Sequence, residues 1–166
     1  VGHNECHIAS ERRQRKMCRS DRLCTALEVG VLCNNAALTQ RNGDSPETMA
    51  VGDPMEAALL LLGARAGIHR EDLLKTYPEL EEEAFDPEVK MMATTHQIDD
   101  RYYVAVKGAP ETVIARASRL ARPAGASPFT DTERKEGHER AEALAQRGLR
   151  VLAIASKTSD SADDPV

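Results

Sequence analysis

Apolar residues follow two different periods along this chain. Residues 23–38 carry apolar side chains at helical spacing, which predicts an amphipathic helix. Residues 91–96 and 101–107 are instead rich in β-branched, aromatic and alternating apolar side chains, and a turn at 98–100 separates them. This arrangement predicts an antiparallel β-hairpin.

Residues 52–56 predict the start of a second helix. Asp53 is a natural N-cap, Pro54 suits the first helical position, and Glu56 follows at the spacing of a capping box. Glu56 therefore has a structural explanation that needs no ligand. We expect this helix to end at Gly63 or Gly67. The same rules predict helices at about 70–75, 110–120 and 132–147, and Gly148 ends the last of them. They also predict a strand edge or its approach at 79–83 and a strand at 149–155. Polar loops are expected at 39–50 and 121–131.

Lys107 ends the second strand of the hairpin at a tight turn into a helix. Gly108 frees the backbone there, and Pro110 fits the first turn of the helix. The hairpin also brings Lys107 close to Lys90, beside Phe85, one of only two phenylalanines in the chain. Neighbouring like charges favour an anion between them, so this end of the hairpin is a candidate anion site. Taken alone, Lys107 is better explained by a stem that covers the sheet edge and an ammonium in water.

Composition narrows the function classes. The chain has 166 residues, of which 41% are hydrophobic and 30% charged, and this suits one domain with a sizeable core. Its net charge of −5 argues against nucleic-acid binding by charge. No apolar run approaches the length of a membrane span. The His3, Cys6 and His7 group fits no zinc template, so we predict no metal site.

The ends of the chain differ from its middle. Residues 1–22 are polar and basic, and this segment is either solvated or a surface for phosphate or acidic lipid. Residues 157–166 are acidic and turn-rich, which is typical of a linker. We therefore assign the folded domain to residues 23–156.

Four stretches, in this order, resemble the nucleotide-binding domain of P-type ATPases. Each is weak alone, but four in order at suitable spacing over residues 23–156 are specific. The resemblance is closest to bacterial calcium-pump-like members, and proton and magnesium pumps are the alternatives. It implies an α+β fold with a twisted antiparallel sheet of about six to seven strands flanked by helices. The stretches are Gly52-Asp53-Pro54-Met55-Glu56, Phe85-Asp86-Pro87-Glu88-Val89-Lys90-Met91-Met92, Lys107-Gly108-Ala109-Pro110-Glu111 and Gly148-Leu149-Arg150-Val151-Leu152-Ala153, and Cys33-Asn34-Asn35-Ala36 fits as well.

The resemblance implies an ATP site. Phe85 is similar to the aromatic residue that stacks on adenine, Glu56 to the acid that faces the adenine amino edge, and Leu152 to an apolar wall. Such a slot suits a flat base, which needs apolar or aromatic walls and a few placed polar groups.

The same resemblance implies the groups that meet the phosphates. Lys90 and Lys107, the latter followed by Gly108, are similar to the two lysines that line the pocket and reach toward the phosphates. Arg150 is similar to the arginine near the β-phosphate, and arginine suits forked contacts with phosphate oxygens.

Other parts of such an enzyme are not in this sequence. The phosphorylated aspartate of Asp-Lys-Thr-Gly-Thr is missing, as are the actuator loop, the magnesium aspartates and the membrane helices. We therefore expect an excised, monomeric domain without catalytic residues, which binds ATP but does not hydrolyse it. In the parent, the resemblance implies a cytoplasmic domain of an integral membrane protein that transports cations. Its partners would be the phosphorylation and actuator domains, and magnesium would arrive as Mg-ATP.

Three positions depart from the family pattern. Pro87 and Val89 stand where basic residues are frequent, and Met55 stands where threonine is common. These departures question phosphate affinity more than adenine recognition. They support an alternative, a non-catalytic regulatory or interaction domain that kept the fold and lost the nucleotide.

Overall fold

The structure is a computed structural model that describes residues 21–40 and 48–161. The predicted basic segment up to residue 20 lies outside these residues, as do His3, Cys6 and His7. The described helices are α1 Asp21–Leu32, α2 Pro54–Arg65, α3 Arg70–Thr76, α4 Pro110–Arg116 and α5 Asp131–Gln146, and the described strands are β1 Ala37–Gln40, β2 Thr48–Val51, β3 Glu79–Asp86, β4 Met91–Ile98, β5 Arg101–Gly108, β6 Arg119–Leu120, β7 Ser127–Pro128 and β8 Ala153–Ser159.

The central element is a four-stranded sheet in the order β3-β4-β5-β8 with all neighbours antiparallel. Strands β1 and β2 form a separate ladder, and so do β6 and β7. The predicted α+β class is therefore confirmed. Within the described residues, the strands divide into one sheet of four and two ladders, because β1, β2, β6 and β7 pair only among themselves.

Both faces of β4 are buried, because its side chains alternate between two cores. Met92 packs with Val29 and Leu32 of α1 and with other apolar groups on one face. Met91 packs with Val106 of β5 and other apolar groups on the opposite face. All residues from Met91 to His96 are consequently buried.

The predicted hairpin is confirmed. Strands β4 and β5 pair from Ile98 and Arg101 at the turn to Met91 and Gly108 at the far end. Helix α5 is also confirmed, and Gly148 follows its end with a φ of 76°, a left-handed conformation that favours glycine.

Several predicted boundaries are wrong where pairing between distant segments decides them. Helix α1 ends at Leu32, not near residue 38, and strands β1 and β2 occupy parts of the predicted loop at 39–50. The helix expected at 110–120 ends at Arg116, and Arg119–Leu120 is a strand.

The last strand also lies later in the chain than predicted. It begins at Ala153, opposite Gly108, and runs to Ser159, opposite Tyr102. Pairing with β5 therefore extends the folded part beyond residue 156, into the segment that we assigned to a linker.

Strand β3 forms one edge of the sheet and carries a run of glutamates. Every one of its residues is exposed, and in the described part of the chain it pairs only with β4. Its run of glutamates is thus a solvated edge, which protects such a strand from pairing with another chain.

Candidate functional site

A buried ion pair joins α2 to β5. Lys107 Nζ lies 2.5 Å from Glu56 Oε1, and the two side chains are 8% and 14% exposed. The ammonium also donates to the carbonyl oxygen of Cys33 at 2.6 Å. Because Cys33 directly follows α1, this places a cation at the negative end of that helix.

Glu56 is held by the turn that starts α2. Asp53 is the N-cap, as predicted, and its carboxylate accepts from the N–H groups of Met55 at 2.8 Å and Glu56 at 3.3 Å. The predicted return contact from Glu56 to the cap is wrong. The Glu56 carboxylate instead accepts from Lys107 and, through Oε2, from the backbone N–H of Asn35 at 3.1 Å.

The segment 33–35 contacts both members of this pair. The sequence predicted its fit to the family but no role for its residues. The buried Asn34 side chain donates to the carbonyl oxygens of Gly30 at 3.2 Å and Glu56 at 3.0 Å. It also accepts from the N–H of Ala36 at 2.9 Å. The signal available in the sequence was a pair of adjacent asparagines after a helical stripe, since such residues bond readily to nearby backbone groups.

Phe85 lies in a β-bulge of the edge strand. The β3–β4 register shifts between Glu83 and Asp86. Ala84 and Phe85 therefore both lie opposite Met92, and such an extra residue redirects side chains locally. Phe85 is 55% exposed, so it is a surface residue rather than part of the core.

The bulge brings Phe85 to the level of the ion pair. Met92, opposite Phe85, pairs on its other side with Lys107. Neighbouring strands are about 4.8 Å apart, so the backbones of β3 and β5 lie about 10 Å apart at this level. A single ligand can span that distance.

Lys90 lies beside the site but points to a different partner. It adopts a φ of 58° in the turn between β3 and β4, and its carbonyl oxygen accepts from the N–H of Ala109 at 2.9 Å. Its ammonium lies 3.1 Å from Glu111 Oε1, and both side chains are more than half exposed. Each lysine thus has its own carboxylate, which corrects our argument that the two lysines need an added anion.

The Glu111 carboxyl is tuned by these contacts. The backbone N–H of Glu111 itself, followed by the Lys90 ammonium, lowers the pKa of this carboxyl below its usual value.

Burial raises the pKa of the Cys33 thiol to about 11, so this free cysteine stays protonated and unreactive at neutral pH.

Gly108 allows the backbones of β4 and β5 to approach closely at the site. A Cβ at this position would lie 2.6 Å from the carbonyl oxygen of Lys90 and 3.0 Å from Met91 Cα. Both are backbone atoms that cannot rotate away. The glycine is therefore required by close packing.

Arg150 and Leu152 lie in the connection between α5 and β8. Arg150 is exposed and Leu152 is partly buried. The next residue, Ala153, pairs with Gly108. Phe85, Lys90, Lys107 and Gly108 thus lie at one end of the sheet. Glu56 is joined to Lys107 by the ion pair. Arg150 and Leu152 precede, in the chain, the strand that pairs with Gly108.

A cavity of about 590 Å³ lies elsewhere, between β1, α2 and α3, and none of the seven predicted site residues lines it. Over residues 21–40 and 48–161, no group of three His, Cys, Asp or Glu side chains is arranged to hold a metal ion. The described residues also include no helix long and apolar enough to cross a bilayer.

Comparison with known proteins identifies the class. The family described as "P-type ATPase, cytoplasmic domain N" matches residues 22–165. The chain belongs to this family, and the predicted resemblance to the nucleotide-binding domain of P-type cation-transporting ATPases is confirmed.

Individual relatives agree. The chain is 38% identical over 132 residues to cation-transporting ATPase pma1 of Synechocystis sp., which covers 80% of this chain and 14% of the relative. It is 33% identical over 137 residues to calcium-transporting ATPase 1 of Bacillus cereus, and this match covers 82% of this chain and 15% of the relative. It is 35% identical over 146 residues to sodium/potassium exporting P-type ATPase cta3 of Schizosaccharomyces pombe, and this match covers 87% of this chain and 14% of the relative. The chain therefore spans about one seventh of the length of these relatives.

Proposed function

We propose that this chain binds ATP at the end of the sheet where β3, β4 and β5 meet. The observation that carries the proposal is the exposed Phe85 in its bulge, at the level of the buried Glu56–Lys107 pair. A phenylalanine that folding leaves in water is available to stack on a flat base. Membership of the family supports a nucleotide as the ligand.

The adenine would lie against Phe85 and present its amino edge to Glu56. An ionised carboxylate accepts about four hydrogen bonds, and Glu56 uses one for Lys107 and one for Asn35. Capacity remains for the exocyclic amino group of adenine. Guanine presents a carbonyl oxygen at the same position, which a carboxylate repels, so the site should prefer ATP to GTP.

The triphosphate would extend toward the exposed cations at this end of the sheet. Arg150 is exposed next to the start of β8, and the Lys90 ammonium is exposed beside Glu111. Magnesium would enter with the nucleotide, since the described carboxylates form no group suited to hold it.

In a full-length pump the domain would position ATP for a neighbouring domain. There an aspartate oxygen would bond to the γ-phosphorus as the bond to ADP breaks, and this phosphoryl transfer would drive cation transport across the membrane. The chain would supply binding and orientation, which is most of what phosphoryl transfer asks of a protein. The isolated chain should therefore bind ATP without releasing phosphate.

Titration of the labelled chain with ATP, followed by amide NMR, tests this proposal. We expect shifts that cluster at Glu56, Phe85, Lys107 and Arg150 and that saturate. GTP at the same concentrations should give weaker shifts. An unchanged spectrum would overturn the proposal and favour the alternative, a regulatory domain that no longer binds nucleotide.

A further inference from the structure

Residues 33–35 contact three elements that meet at the proposed ATP site. The Cys33 carbonyl oxygen accepts from Lys107 on β5, and the Asn35 N–H donates to Glu56 on α2. The Asn35 side chain turns the other way, and its Nδ2 donates to Glu82 Oε1 on β3 at 2.6 Å. One short segment thus touches both members of the ion pair and the edge strand.

The contact with Glu82 lies next to the bulge that carries Phe85. Glu82 pairs in register with Thr94, and the register shift follows immediately after Glu83. An edge strand is held by a ladder on one side only, and the two bulge residues lie between the paired Glu83 and Asp86, so a side-chain contact beside them helps to fix their position. A hydrogen bond to an ionised carboxylate is stronger than one between neutral groups, which suits Asn35 to that purpose.

We infer that Asn35 is a positioning residue for the nucleotide. Its backbone N–H orients the Glu56 carboxylate, and its side-chain amide holds β3 so that Phe85 stays in register with the Glu56–Lys107 pair. The inference rests on the proposed ATP site. It assigns to Asn35 and Glu82 a role in binding the adenine and no role in binding the triphosphate.

Two substitutions remove the side-chain hydrogen bond between Asn35 and Glu82 while the backbone contact of Asn35 with Glu56 remains. Asn35→Ala removes the amide but keeps the backbone N–H that holds Glu56, and Glu82→Ala removes the acceptor. Glu82→Gln is the conservative control because its side-chain oxygen can still accept the hydrogen bond. Glu81→Ala is the matched charge control, since it removes the same charge from the same exposed strand.

Calorimetric titration with ATP, AMP and inorganic tripolyphosphate gives the first readout. Contacting residues couple by amounts that correspond to about a fivefold change in affinity. We expect Asn35→Ala and Glu82→Ala each to weaken ATP and AMP binding about fivefold and the double variant to weaken it no further. Tripolyphosphate binding and the urea midpoint of unfolding should stay unchanged, as should ATP binding by Glu81→Ala. Glu82→Gln should lose less ATP affinity than Glu82→Ala, because its side-chain oxygen still accepts from Asn35 although it carries no charge.

NMR of ring-labelled phenylalanine without nucleotide gives the second readout. The chain has two phenylalanines, so the Phe85 signal should move in Asn35→Ala and Glu82→Ala while the Phe129 signal stays in place. An unmoved Phe85 signal, or equal losses for AMP and tripolyphosphate, would overturn the inference. If the unaltered chain binds no ATP, the proposed function fails, and the Phe85 signal still decides whether Asn35 positions β3.

Discussion

Lys107 and Glu56 are 51 positions apart in the sequence, yet Nζ and Oε1 lie 2.5 Å apart at a site from which water is largely excluded. Removal of one member of such a pair leaves an uncompensated charge. We therefore predict that Lys107→Met lowers the free energy of unfolding by about 3 kcal/mol. Urea denaturation followed by circular dichroism measures this loss.

The Lys90–Glu111 pair is the internal control. It joins the same two chemical groups at 3.1 Å, but its side chains are 56% and 57% exposed. Exposed pairs contribute little, so Lys90→Met should cost less than about 1 kcal/mol. Equal losses for the two variants would show that burial of Lys107 does not matter.

A second prediction concerns Gly108. The Cβ of Gly108→Ala would meet the Lys90 carbonyl oxygen at 2.6 Å, so β4 and β5 would have to separate at the proposed site. Overpacking of this kind costs about 1–3 kcal/mol. We expect that loss in urea unfolding, together with weaker ATP binding in calorimetry.

Gly137 provides the comparison for that variant. It lies within α5, and a Cβ there would meet only the end of the Ile114 side chain at 3.2 Å. Since alanine favours a helix interior over glycine by about 1 kcal/mol, Gly137→Ala should be neutral or stabilising. A Gly108→Ala protein as stable as Gly137→Ala would refute the close-packing argument.

The sequence predicted those features that depend on neighbouring residues. The cap at Asp53, the turn between β4 and β5, and the glycine after α5 each follow from a few adjacent side chains, and the structure has them. The predicted hairpin also placed Lys107 close to Lys90, and the register of β4 and β5 has Gly108 opposite Met91, next to Lys90.

Features that depend on distant partners could not be predicted in this way. The spacing of Asp53 and Glu56 favours a capping box, but Lys107 lies within reach and takes the carboxylate. The bulge at Phe85 is a property of the β3–β4 register and leaves no local mark in the sequence. The start of β8 at Ala153 is likewise set by pairing with β5.

A third prediction is a pH dependence that arises from His96. This residue is fully buried, its ring contacts Thr94 Oγ1 at 2.8 Å and the Tyr77 carbonyl oxygen at 3.1 Å, and the Arg70 guanidinium lies nearby. Burial lowers its pKa below the usual 6.5, and the Arg70 charge lowers it further although the Tyr77 carbonyl acts against this. The folded state therefore keeps a neutral ring where the unfolded state already binds a proton.

The direction in which the free energy of unfolding changes with pH follows from that difference. The stability contributed by neutral His96 is complete above pH 6.5 and is lost as the pH falls from 6.5 toward the folded pKa. The slope can reach about 1.4 kcal/mol per pH unit. Unfolding free energies between pH 7.5 and 5 should show this slope in the unaltered chain and a smaller slope in His96→Gln. An unreduced slope in His96→Gln would assign the effect elsewhere.

The fourth prediction tests whether Phe85 serves the ligand or the fold. A phenylalanine that is 55% exposed contributes little to the core, so Phe85→Ala should change the free energy of unfolding by less than about 1 kcal/mol, whereas a buried phenylalanine would cost about 3–5 kcal/mol. If the ring stacks on adenine, the same variant should lose about 1–3 kcal/mol of ATP binding, as base–aromatic stacking does elsewhere. Denaturant unfolding and calorimetric ATP titration on one preparation measure both quantities.

Phe129 is the matched control for this variant because it is the other phenylalanine and its ring lies 4.6 Å from the Arg134 guanidinium, next to α5. Phe129→Ala should leave ATP affinity unchanged, since its ring packs against Arg134 of α5 and is not among the residues proposed to bind ATP. A folded Phe85→Ala protein with unaltered ATP affinity would remove the stacking role. The unaltered affinity would then have to come from groups other than the Phe85 ring, such as the Glu56–Lys107 pair and the apolar Leu152.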